Sequence, residues 1–135
     1  MANALYDKGR EGFLDGSIDW DTDTIKCVLV DAADYTVNPS THDNLDDIPG
    51  GARVGTPQTL GSKTVTAGVA DAADVTFPSV TGDPSEAIVI YKDTGVESTS
   101  RLIAYIDTAT GLPVTPNGGN ITITWDNGAN KIFKL

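Results

Sequence analysis

Few side chains in this chain are equipped for covalent or metal chemistry. His42 is the only histidine among 135 residues, placed in Thr41-His42-Asp43-Asn44, and Cys27 is the only cysteine. Nucleophilic catalysis needs a nucleophile with a base in reach, and no Gly-x-Ser-x-Gly elbow is present. Cys27 lies beside Ile25, Val28, Leu29 and Val30, where burial raises a thiol's pKa and blunts its reactivity. It reads as a reduced core thiol, and His42 as a solvated loop residue. A structural zinc site wants several Cys or His ligands, which one of each cannot supply.

Oxygen ligands are more plentiful. Asp19-x-Asp21-x-Asp23 alternates carboxylates as calcium loops do, and Asp43, Asp46 and Asp47 form a second acidic group. Counted from Asp19, however, the loop positions that require Gly and Glu hold Thr24 and Val30, so the run reads as a solvated acidic turn. The 19 acidic residues offer many pairs for glycoside hydrolysis, and no spacing singles one out. Gly118-Gly119 lies between Asn117 and Asn120 without a following helix or Lys-Ser/Thr, so it makes no phosphate cradle. These residues point away from an enzyme and imply no cofactor and no metal.

The elements that carry these residues are organised around residues 86–107, EAIVIYKDTGVESTSRLIAYID. Two apolar runs, 87–91 and 102–106, place apolar side chains at successive positions, as strands covered on both faces do. They read as a central antiparallel pair whose loop, 93–100, faces outward. Residues 25–30 read as another strand, entered from Ile18 and Trp20 through the acidic turn. Further strands are expected at 53–60, 63–69, 75–80, 121–125 and 131–135, separated by Gly, Pro, Asn and Asp turns. About eight such strands predict an all-β antiparallel β-sandwich with jelly-roll-like wiring, in one domain spanning 1–135.

Burial pattern argues for the last hairpin as well. Ile121, Ile123 and Trp125 share a face, so a three-residue turn at Asp126-Asn127-Gly128 would pair 121 with 133 and put Phe133 and Leu135 on it. Residues 38–51 read as a long acidic surface loop around Leu45 and Ile48. Residues 1–16 read as a short N-terminal helix or arm, with Asn3 as N-cap and Gly16 as the stop. Either it docks or it orders only against a partner, and deleting 1–14 is expected to leave a folded domain with weakened attachment to that partner. DAADYTV at 31–37 and DAADVTF at 71–77 are an internal echo too short for a repeat, and both read as strand-to-turn junctions.

Charge and hydropathy narrow the class of partner. A net charge of −10 opposes nucleic acid, whose phosphates reward Lys and Arg. There is no apolar signal core at the start and no run of about 18 apolar residues, so no membrane association is expected.

The chain resembles small virion structural proteins of tailed bacteriophages. The likeness rests on ALYDKGREGFLDGSIDWDTDTIK, LDDIPGGARV, EAIVIYKDTGVESTSRLIAYIDT and GLPVTPNGGNITITWDNGANKIF, which together span most of the chain. It implies a capsid decoration (cement) protein, made in the host cytoplasm and bound to the capsid exterior of the virion. The implied partner is the major capsid protein, bridged by a homo-oligomer on the capsid. Leu5, Tyr6, Phe13, Leu14, Leu45 and Ile48 are the expected contact residues, although Phe13 and Leu14 would equally cap the sandwich. The alternative is a tail-associated receptor- or carbohydrate-binding module using Trp20, Tyr35 or Tyr91.

Overall fold

A computed structural model of the protein describes residues 3–135. The fold is all-β and sandwich-like, with antiparallel sheets and one short α-helix. In chain order the elements are β1 (Ala4–Leu5), α1 (Asp7–Asp15), β2 (Ile25–Val30), β3 (Arg53–Thr59), β4 (Thr64–Thr66), β5 (Val69–Asp71), β6 (Val75–Phe77), β7 (Ala87–Lys92), β8 (Leu102–Ile106), β9 (Ile121–Ile123) and β10 (Phe133–Lys134).

A five-stranded sheet, ordered β1-β8-β7-β2-β3, forms the middle of the molecule. Its central strands are the expected pair: β7 runs antiparallel to β8, with Ile88 opposite Ile106 and Val89 opposite Tyr105. Every residue of β8 is buried, as are the first five of β7. That requires an apolar layer on each face. On one face Ile25, Cys27, Leu29, Ile88, Ile90, Ala104 and Ile106 meet Val75, Phe77, Ile121, Ile123 and Trp125. On the other, Val28, Val30, Val89, Tyr91 and Tyr105 meet Tyr6, Tyr35, Leu45, Ile48 and Ala52.

The first cover consists of two small sheets, β6-β9 and β10-β5-β4. Here the expected final hairpin does not form. Ile121 pairs with Phe77, and Phe133 pairs with Ala70, so β9 and β10 belong to different sheets. The chain after β9 is drawn away because the Trp125 backbone N–H donates to Asp74 Oδ1 (3.1 Å) and its indole Nε1–H to the Ala73 carbonyl (3.0 Å). Residues 63–69 also split in two: Ala67 and Gly68, with φ of 54° and 79°, turn β4 back onto β5. Positive φ at both central residues makes the tight turn that suits the twist of a hairpin.

The second cover is irregular chain. Residues 38–51 are no surface loop with free side chains, because Leu45 and Ile48 are buried against the sheet. Arg53 fastens them from below, donating from Nε to the Ile48 carbonyl (3.0 Å) and from Nη2 to the Leu45 carbonyl (2.8 Å). The first echo segment does follow the end of β2, whereas the second runs from the last residue of β5 through a short link and takes in all of β6.

The N-terminus is docked, so it is no separable arm. The Tyr6 N–H donates to the Ile103 carbonyl (2.9 Å), continuing the β1–β8 ladder into α1. Asn3 does not cap α1, which Tyr6 precedes. Its amide spans instead to Thr108 Oγ1 (2.7 Å) and accepts the Asp107 N–H (2.8 Å). Gly16, with φ of 80°, ends the helix as expected. Gly9 lets α1 lie directly on β8, for a Cβ there would sit 2.8 Å from both Ile103 Cα and the Leu102 carbonyl oxygen. Helix propensity alone would make Gly9→Ala stabilising by about 1 kcal/mol. Because the obstacle is backbone, we expect Gly9→Ala to destabilise by about 1 to 3 kcal/mol in urea unfolding; a stabilised variant would show that α1 does not dock this closely.

Candidate functional site

Burial sorts the expected contact residues. Tyr6, Leu45 and Ile48 lie in the core and are unavailable to a partner. Leu5 is half-buried and packs on the first apolar layer. Phe13 is half-buried too, its ring 5.9 Å from that of Phe133. Only Leu14 is open, at 86% exposure. The aromatic residues considered for stacking on a sugar, Trp20, Tyr35 and Tyr91, are all buried.

What the structure assembles in their place is an apolar groove of about 430 Å³ at the end of α1. Phe13, Ile18 and Trp20 line one side, and the β4-β5-β10 sheet lines the other with Val65, Val69, Ala70, Phe133 and Leu135. Trp20 is held rigidly, its indole N–H donating to the Asp71 carbonyl (3.0 Å) and its ring edge-on to Phe133 at 5.2 Å. Val65 and Leu135 are 57% and 59% exposed, so apolar surface remains open at the rim. Monomeric proteins seldom leave such clustered apolar side chains to water without a partner for them. The sequence signal for this groove was obscured, since Val65 stands alone between threonines and Leu135 was expected to turn inward.

The groove's charged lining is Asp19 and Asp21. A hydrogen bond shared with Asp19, together with that neighbour's charge, holds the Asp21 carboxyl above the usual carboxylate range. The same shared bond holds Asp19 below it. The turn that carries them is closed by the Asp19 N–H donating to Asp23 Oδ2 (2.7 Å) and the Asp23 N–H to the Asp19 carbonyl (2.9 Å).

Carboxylates also converge elsewhere. Among the described residues, Asp43, Asp46 and Asp47 place oxygens within 4.8 Å of one another, as do Asp31, Asp34 and Asp83. In the first group Asp47 is already engaged, accepting the Asp43 N–H at 2.7 Å and the Asn44 N–H at 3.4 Å. Burial pulls the Asp47 carboxyl upward, but these hydrogen bonds and nearby His42 outweigh it and lower its pKa.

His42 is not a freely solvated residue. Its Nδ1 accepts the Asn38 N–H (3.2 Å), so the Tyr35 hydroxyl 2.9 Å away must donate to it. The Tyr35 oxygen is then left to accept from Tyr6, at 2.8 Å. This chain runs from the sheet to the irregular cover and works as a fastening. Burial raises the Tyr35 hydroxyl to about 12 and Tyr6 higher still.

Compared with known proteins, the chain matches no protein-family model and no curated protein. Among the described residues no helix is long and apolar enough to cross a membrane.

Cys27 behaves as a core side chain. Burial pushes its thiol from 9.0 up to about 12, opposed only in part by its contact to the Gln58 carbonyl. Tyr91 is likewise pushed up to about 12, chiefly by burial. Raised acid pKa values mean that the folded state keeps protons the unfolded chain releases. Their stabilising contribution is therefore complete below the unfolded values and declines as pH rises from about 9 towards 12. We expect the urea midpoint to fall steadily between about pH 8 and about pH 11, with thiol reagent labelling Cys27 only after denaturant is added. A flat midpoint, or rapid labelling of the native protein, would contradict this burial.

Proposed function

We propose that the protein is a virion structural protein of tailed bacteriophages, a capsid decoration (cement) protein that binds the outer face of the head and bridges major capsid subunits. The observation that carries this reading is the open apolar rim formed by Val65 and Leu135 around the groove, beside exposed Leu14 at the end of α1. A rim of this kind suits a protein surface. It replaces Tyr6, Leu45 and Ile48 as the contact surface, and keeps Leu14 from the original set.

Charge supports the placement. At −10 the chain is repelled by packaged DNA, which favours the exterior of the head over its lumen. A rigid domain with two apolar layers also suits a cement role, since load applied at one edge passes into a sheet buried on both faces. Specific interfaces bury roughly 1,200 to 2,000 Å² in total. One groove covers only part of that, so the bridge would be completed by a homo-oligomer on the capsid and by repetition through capsid symmetry. Synthesis in the host cytoplasm agrees with a reduced, buried Cys27.

Cryo-microscopy of the intact particle tests the reading. Density at many positions over the head, with copy number by quantitative mass spectrometry near that of the major capsid protein, is expected; a few copies confined to the tail would overturn it. We also expect Leu14→Glu to weaken attachment of added protein to undecorated heads by about tenfold while leaving its circular dichroism unchanged, as loss of one exposed apolar anchor would. Attachment unaffected by that change would remove Leu14 from the interface.

A further inference from the structure

We propose that the groove at the end of α1 is a docking site for an extended, basic segment of another protein, added as a strand along β4 with its apolar side chains planted in the groove. This names the partner chemistry for the surface on which the decoration reading rests.

The backbone of β4 is the first part of the case. It is the outermost strand of its sheet, and Thr64, Val65 and Thr66 are all exposed. The two-residue turn at Ala67-Gly68 makes Thr66 and Val69 a hydrogen-bonded pair, which leaves Val65 opposite Ala70 in a non-hydrogen-bonded one. The Val65 N–H and C=O therefore point away from β5, toward whatever lies beyond the edge. An added strand would take up both groups.

Side-chain direction is the second part. Val65, Ala70 and Phe133 occupy directly opposed positions on three adjacent strands, and all three line the groove. Alternate residues of a strand laid beside β4 would fall on that same face and continue the row. The groove, at about 430 Å³, is in the size range of built ligand sites and would accept a large apolar side chain against Trp20 and Phe13.

Charge selects among apolar segments. Asp19 and Asp21 sit on the groove wall, where a hydrogen bond shared with Asp19, together with that neighbour's charge, keeps the Asp21 carboxyl above its ordinary range. A Lys or Arg delivered there would offset the charge of this close carboxylate pair. The protein's own nearby cations offset this turn only in part: Lys63 faces Asp21 while its Nζ donates to the Asp23 carbonyl, Lys92 pairs with Asp23 at 3.1 Å, and Arg101 faces Asp15 at 3.8 Å. An acidic segment would meet repulsion from the whole molecule, at −10.

The test uses the full chain and three synthetic peptides: Lys-Ser-Phe-Ser-Val-Ser-Lys, whose Lys, Phe and Val side chains share one face of a strand, its twin with Glu for every Lys, and its twin with Ser for every apolar residue. Titrated by amide NMR, the first should shift the Val65, Gly68 and Trp20 signals and bind about tenfold or more tighter than either twin, weakening with salt. Asp19→Asn with Asp21→Asn should reduce the preference over the Glu twin, leaving only what the rest of the acidic molecule supplies. Val65→Pro should weaken all binding, because it removes the outward N–H while leaving the bonds to β5 intact. Equal binding of the three peptides, no binding, or shifts confined to other regions would overturn the proposal. The two readings fail separately. Head attachment that survives both sets of substitutions sinks the groove and spares the decoration role, whereas peptide binding by a protein found only at the tail does the reverse.

Discussion

The constraint on which the structure depends is that the central strands are apolar on both faces. Ile88, Ile90, Ala104 and Ile106 point one way, while Val89, Tyr91 and Tyr105 point the other. Each large side chain among them contributes about 1.5 to 3 kcal/mol only if its face is kept from water. A sheet with one wet face would forfeit half of that gain. Two covers are therefore needed, and the rest of the chain is occupied in supplying them. The first is built from short strands that satisfy their own backbone groups in ladders. The second is irregular, so its carbonyls and amides need side-chain partners, and this is where Arg53, Asp47 and the Tyr6–Tyr35–His42 chain are found.

The legible parts of the fold were those written in consecutive residues. The continuous apolar runs of β2, β7 and β8 declared two-sided burial without reference to anything distant. The stop at Gly16 was equally local. The errors arose where distant partners decided. Asp126-Asn127-Gly128 has good hairpin chemistry, yet Ile121 and Ile123 find β6, and Phe133 finds β5, because those pairings complete the first cover. Leu45 and Ile48 stand three residues apart on a single 3₁₀ turn over Leu45–Asp47, too short a period among aspartates to distinguish buried from exposed. Ala67 at positive φ is similarly silent in sequence, and hides the division of β4 from β5.

The site was less legible than the fold for a related reason. Of the residues expected at a contact surface, Phe13 lines the groove and Leu14 stands open beside it, while Tyr6 is consumed by the second cover. Val65 and Leu135 belong to segments more than sixty residues apart, brought to one rim by the pairing of β10 with β5 next to β4. A groove made by three separate segments has no motif.

The groove also follows from how the first cover ends. Sheets usually guard a free edge with Lys, Pro or a bulge, since an unpaired row of N–H and C=O groups invites another chain. β3, at one edge of the central sheet, carries such devices in Gly55, Pro57 and a register shift opposite Cys27 and Leu29. β4 carries Thr-Val-Thr and none of them within the strand. The edge of β3 is thus blunted against association, whereas that of β4 is left able to pair, with an acidic, apolar hollow beside it. An edge left open only by chance would still aggregate with its own copies. Here the −10 charge resists that self-association and leaves the edge to a partner of opposite sign.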